Sequence, residues 1–241
     1  MFTQQIYMTK RKKIILSLVI ILACLIVGSG TYYFVFFRKH QSVIISENEI
    51  LPLLTTDYLK ETYEKAKKGD ESIKNEPERV QNYFIAGIEW KTLGDLTNDE
   101  RFYKKALEIY EKAIKITKGR NTIALVNAAS MNILIKKYDV AEKYLQQAIV
   151  VSPGDIDLYL RLLELYKYYM KKDVGTILAV YENAMKYVLN PFDVLRDRAA
   201  YLYELGRFND ALKDYKKLAE KFPNNETFKE KVAELELRIG K

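Results

Sequence analysis

Cys24 and His40 are the sole cysteine and histidine in 241 residues, and both lie in or beside an apolar stretch near the N-terminus. After His40 the chain carries neither thiol nor imidazole. That removes disulfides, zinc sites built on those ligands, Cys or His nucleophiles and histidine acid–base catalysis from everything downstream. The neighbouring carboxylates Asp155 and Asp157 follow Pro153-Gly154, where capping of a helix accounts for them without chemistry. Glycine-rich phosphate loops, Gly-x-Ser-x-Gly elbows and EF-hand loops do not occur. The lone tryptophan, Trp90, reads as a core residue, and the runs Lys65–Lys68 and Lys213–Lys217 read as solvated helix faces because acids alternate nearby. The expectation is a protein with no catalytic residues, no metal, no cofactor and no small-molecule substrate.

The formal charge of +7 suggests a nucleic-acid or lipid binder until its distribution is examined. Lys10, Arg11, Lys12, Lys13, Arg38 and Lys39 stand in the first 40 residues with no acid, which leaves 33 basic against 32 acidic side chains in the rest. No basic domain remains, so nucleic acid is not an expected partner.

From Ile14 to Phe37 the chain runs without a charge. At ~1.5 Å per residue a helix of that length exceeds the roughly 30 Å hydrocarbon core of a bilayer, so residues 14–37 are expected to span it. Tyr32, Tyr33, Phe34, Phe36 and Phe37 form an interfacial aromatic belt, and four cations at Lys10–Lys13 face two at Arg38-Lys39. The positive-inside rule then places the N-terminus in the cytoplasm and the bulk of the chain outside it, as a single-pass protein of the cell membrane. Two alternatives stay open. Gly28-Ser29-Gly30 offers small residues for signal-peptide cleavage, and Ile21-Leu22-Ala23-Cys24 resembles a bacterial lipobox, with Cys24 the lipidated residue and Met8 the start.

Beyond residue 55 the pattern is helical and self-similar. Tyr103 to Ala113, Tyr138 to Ala148 and Phe208 to Leu218 align, with Ile177, Tyr181 and Ala184 a fainter copy, so that Ala106, Ala141, Ile177 and Ala211 recur about every 35 residues. This resembles the tetratricopeptide repeat family, in which a period of about 34 residues encodes two antiparallel helices, A and B. The matching residues are Ala129, Ala141, Leu145, Ala148 and Pro153 in the second repeat, and Ala199, Gly206, Phe208, Ala211, Tyr215 and Pro223 in the fourth. The third departs at its small positions, Leu165 and Ile177, and closes at Pro191, so a wider helix pair is expected there. In the first, Trp90, Leu93 and Gly94 align without gaps, but a reading with about two inserted turns is preferred. It places Gly94 just past a helix C-terminus, pairs Thr97 with Glu100 as a capping box, and gives helices at about Glu78–Leu93 and Asn98–Thr117.

The resemblance implies an all-α solenoid of helical hairpins behind an N-terminal transmembrane helix. Its parts are a basic tail at 1–13, the span at 14–37, a stalk at 38–55, a helix within 56–77, four repeats at 78–224 and a capping helix at 225–241. It also implies a protein-binding groove lined by helix A. Carried over residue by residue, the groove comprises Val126, Ser130 and Ile133, then Tyr159, Leu162, Tyr166 and Tyr169, then Arg196 and Tyr203. Tyrosine's large area and polar tip suit an interface, although packing against neighbouring repeats accounts for these tyrosines equally well. Val126 and Ser130 stand where chaperone-binding relatives carry a carboxylate clamp, so that clamp is not expected. The functions left open are a scaffold or adaptor of a cell-envelope complex, a chaperone-like accessory subunit of a secretion or translocon complex, and a self-associating structural component.

Overall fold

The computed structural model describes residues 45–240; the basic tail, the expected span at 14–37 and Cys24 lie outside these described residues. Among the described residues every regular element is helical, and no helix is long and apolar enough to cross a membrane. A one-turn helix α1 (Glu47–Ile50) and a 3-10 turn (Leu51–Leu53) lead into α2 (Asp57–Asn75). Four hairpins follow: α3 (Val80–Thr97) with α4 (Glu100–Ile116), α5 (Thr122–Leu134) with α6 (Tyr138–Val151), α7 (Ile156–Glu164) with α8 (Val174–Tyr187), and α9 (Pro191–Glu204) with α10 (Phe208–Lys221). Helix α11 (Glu226–Arg238) closes the stack.

Capping fixes where most of these helices begin. The side chains of Thr56, Asp99, Asn121, Asp155, Asp173, Asn190 and Asn225 each accept a hydrogen bond from a backbone N–H in the first turn that follows. Ser46 and Glu49 form a reciprocal capping box on α1.

Counting from Val80, Thr122, Ile156 and Phe192 puts the A helices in common register. Tyr83, Leu125, Tyr159 and Leu195 are then equivalent, as are Gly87, Ala129, Leu163 and Ala199, and as are Trp90, Asn132, Tyr166 and Leu202; all twelve are buried. Tyr83 and Tyr159 also donate hydrogen bonds to the carbonyls of Pro77 (2.8 Å) and Pro153 (3.0 Å), each six residues upstream. Two repeats thus fasten the start of helix A to the preceding turn by the same device.

The repeats differ in length in ways this register locates. Helix A of the first repeat continues through Gly94 to Thr97, and the left-handed residue that ends it is Asn98 at φ 55°. The expectation that Gly94 terminates the helix is therefore corrected. A Cβ on Gly94 would lie 2.5 Å from the Tyr103 ring, so this glycine admits a close neighbour rather than ending the helix. The preferred insertion is nonetheless present, because α3 and α4 are both several residues longer than α5 and α6.

In the third repeat α7 runs directly into a π-helical turn, Leu165–Met170. From Ile156 to Met170 this segment is two residues longer than the stretches Thr122–Leu134 and Phe192–Glu204, while all three linkers to helix B have three residues. Counting back from Ile177 across those extra residues is what led to Leu165 as the small-position residue; the position belongs to Leu163. The bulk of Leu163 agrees with the expected wider pair, since the α7 and α8 backbones run close together over less of their length than the other pairs do.

The segment expected to be a stalk is folded from Ile45 onward. Ile50 and Leu54 are buried in the first core, and ion pairs join Glu47 to Lys67 (2.9 Å) and Glu49 to Arg101 (3.1 Å). At the other end α11 keeps the register of a helix A, but Lys229 and Glu236 occupy the places of Tyr83 and Trp90. The side on which a further helix B would pack is therefore charged, as suits a cap.

Candidate interaction surface

Three of the nine groove candidates are core residues. Tyr159, Leu162 and Tyr166 are 1 %, 5 % and 4 % exposed. Tyr166 reaches out of the core only with its hydroxyl, which donates to Glu142 at 2.6 Å; burial, and secondarily that hydrogen bond, push its pKa up to about 12. These side chains offer a partner no face, and the cause is the two-residue shift just described.

The others keep some surface. Val126 and Ile133 are half-buried against the second core, and Ser130 donates to the Val126 carbonyl at 3.0 Å. Arg196 is exposed beside Asp193 (3.4 Å). Tyr169 is exposed and its ring lies 5.5 Å from that of Tyr138. Tyr203 is engaged by the last helix: its hydroxyl donates to Glu234, while Lys231 and Arg238 stand over its ring.

With the register corrected, the third-repeat equivalents of Ile123, Val126, Ser130, Ile133 and Leu134 are Asp157, Leu160, Glu164, Lys167 and Tyr168. None of these ten is buried, and the face they share also includes Ile88 in the first repeat and Arg196 in the fourth. It carries one exposed aliphatic residue in each of the first three repeats, Ile88, Ile123 and Leu160 at 53 %, 58 % and 37 % exposed, beside Asp157, Glu164 and Lys167 in the third, and is charged in the fourth at Asp193, Arg196 and Glu204. The signal that would have located Leu160, Glu164 and Tyr168 was present in the sequence: Pro153-Gly154-Asp155 marks the helix start, and counting forward from that cap avoids the π turn.

Lys167 is the most constrained residue on this face. Its ammonium donates to the Tyr181 hydroxyl (2.5 Å), lies 3.3 Å from an Asp197 oxygen, and sits 4.7 Å from the Tyr201 ring centroid. Tyr181 in turn donates to Asp197, and burial, with the carboxylate beside it, holds the phenol well above its ordinary pKa. This cluster joins α8 and α9 to the end of the π turn. It resembles a structural tie rather than a reactive site, because Lys167, Tyr181 and Asp197 partner one another. Among the described residues no group of His, Cys, Asp and Glu could hold a metal ion.

Comparison with known proteins agrees with this geometry. The tetratricopeptide repeat family matches residues 192–225, from the start of helix A in the fourth repeat through its closing proline. A TPR repeat-containing protein of Methanocaldococcus jannaschii is 30 % identical over 131 residues, which is 54 % of this chain and 22 % of that protein. The chain thus spans about a fifth of the length of that relative. The crystal structure of MamA superposes with a TM-score of 0.51 at 19 % identity, covering 66 % of this chain and 87 % of the other. Residues 192–225 are thus matched as a tetratricopeptide repeat, and the described residues share the helical-hairpin fold of which such repeats are built.

Proposed function

We propose that this protein is a membrane-anchored scaffold that recruits a protein partner through the exposed face of its A helices, on the outer side of a cell membrane. The observation that carries the binding surface is the uncovered face of the A helices across successive repeats, on which Ile88, Ile123 and Leu160, at different positions of their helices, expose apolar area. The anchor is residues 14–37, on the strength of their uncharged length, and the orientation follows from Lys10–Lys13. The partner belongs to a complex of the cell envelope, held close by confinement to the membrane plane.

The test is co-purification from detergent-solubilised membranes after cross-linking. Ile123→Asp with Leu160→Asp should lose the partner, whereas Leu189→Asp, at a residue 99 % exposed outside the A helices, should retain it. Equal recovery in all three would remove this face from consideration. Protease accessibility of the repeats in intact cells tests the orientation.

A further inference from the structure

The turns between helices A and B of the second and third repeats carry an unusual choice of residue. Lys136 and Lys171 both have left-handed backbones, at φ 58° and 52°. The corresponding turn of the fourth repeat meets the same need with Gly206, at φ 71°. An L side chain is strained in this region and glycine is not, so both lysines hold their places at the expense of stability. Lys118, between α4 and α5, is left-handed as well at φ 52°, so strain alone assigns no use; what distinguishes Lys136 and Lys171 is where their two turns lie.

The two turns adjoin, since Tyr138 beside the first lies with its ring 5.5 Å from that of Tyr169 beside the second. Lys136, Lys137 and Lys171 are exposed, and none has an anionic partner among the described residues. Of the nearby acids, Glu142 is engaged by Tyr166 and Lys172, and Asp173 by the N–H and hydroxyl of Thr176, which leaves Asp139 as the free carboxylate. Tyr168 and Tyr169 stand exposed alongside.

We infer that these turns form a docking patch for a short acidic polypeptide segment, with the three lysines meeting its carboxylates and the tyrosines its apolar flanks. This rests on the reading of the protein as one that recruits a protein partner, and names the chemistry of that partner. A polypeptide fits better than nucleic acid or an anionic bilayer. Those polyanions call for an extended basic field, and beyond residue 40 the chain is nearly neutral, with 33 basic and 32 acidic side chains.

The same property supplies a clean experiment. Lys136→Gly with Lys171→Gly removes two charges while relieving backbone strain, so the variant should melt a few degrees higher, on the order of 4 °C or more, as it loses binding. The probe is a fluorescent peptide of six glutamates ending in tyrosine, titrated into the full chain in mild detergent. The glycine variant should bind it roughly fivefold to tenfold more weakly, Lys136→Arg with Lys171→Arg should bind it as the native chain does, and 0.5 M NaCl should weaken the native complex. Unchanged affinity in the glycine variant would overturn the inference, as would tighter binding of a DNA duplex or of phosphatidylserine nanodiscs than of the peptide. If the cross-linked partner is lost with Ile123→Asp and Leu160→Asp but retained by the glycine variant, the scaffold reading stands and this patch is ruled out.

Discussion

Asp214 is a buried carboxylate, 2 % exposed, held by Arg198 from the facing helix through two nearly parallel hydrogen bonds of 2.8 and 2.7 Å. Arg198 occupies the place filled by Ala128 and Leu162 in the repeats before it, so a bidentate ion pair stands where those repeats pack apolar side chains. Removing one partner of such a pair strands the other. Asp214→Ala leaves the guanidinium, 16 % exposed, beside a methyl-lined space, and the expected loss is about 3–5 kcal/mol. For a folded unit of this size that corresponds to a melting temperature lower by roughly 6–20 °C. Replacing both together, as Arg198→Met with Asp214→Leu, restores apolar packing and should return stability to within about 1 kcal/mol of native. Urea denaturation of residues 45–241 at neutral pH, followed by far-UV circular dichroism, measures all three. A loss below about 1 kcal/mol for Asp214→Ala, or a double variant as unstable as the single one, would refute the view that desolvated charge, rather than shape alone, governs this hairpin.

Other consequences follow from the same structure. A Cβ at Gly87 would lie 2.5 Å from the fully buried Tyr110 ring, so Gly87→Ala should destabilise by about 1–3 kcal/mol even after its gain in helix propensity; Gly94→Ala meets only the half-buried Tyr103, which has room to swing outward, and should be near neutral in the same denaturation assay. Ile50→Ala should cost about 2–4 kcal/mol, because the segment before α2 is part of the first core; a value near zero would restore the view of it as a stalk. Burial holds the Tyr166 and Tyr181 phenols above the usual value near 10. The unfolded chain therefore releases these protons first, and stability should be level through neutral pH and fall as pH rises beyond about 10, which alkaline melting curves would display.

Helix type and the paired arrangement were legible in the sequence, since Asp155 and Asn225 precede periodic segments, whereas α1 lies in what was expected to be a stalk. The preferred gap in the first repeat was legible too: Gly94-Asp95 looked unlike the middle of a helix, and extra turns are indeed present. What misled was the role of that glycine, because a sequence shows that glycine permits a helix end without showing that a ring packs against it. The third repeat failed for a different reason. A π turn changes the count of residues between two helices without leaving a composition signal, so a register carried back from Ile177 put Tyr159, Leu162 and Tyr166 on the surface. The alternative weighed for those tyrosines, packing, is the one that describes them.

Which exposed residues meet the partner can be read directly by crosslinking. Photo-crosslinking amino acids placed singly at Ile123, Leu160 and Tyr168, and at the more exposed Val150 and Leu189 outside the A helices, would be activated in native membranes. Adducts of one common size from the first three positions, and none from the last two, are predicted. Adducts from Val150 and Leu189 alone would contradict the proposal that the A helices present the binding face.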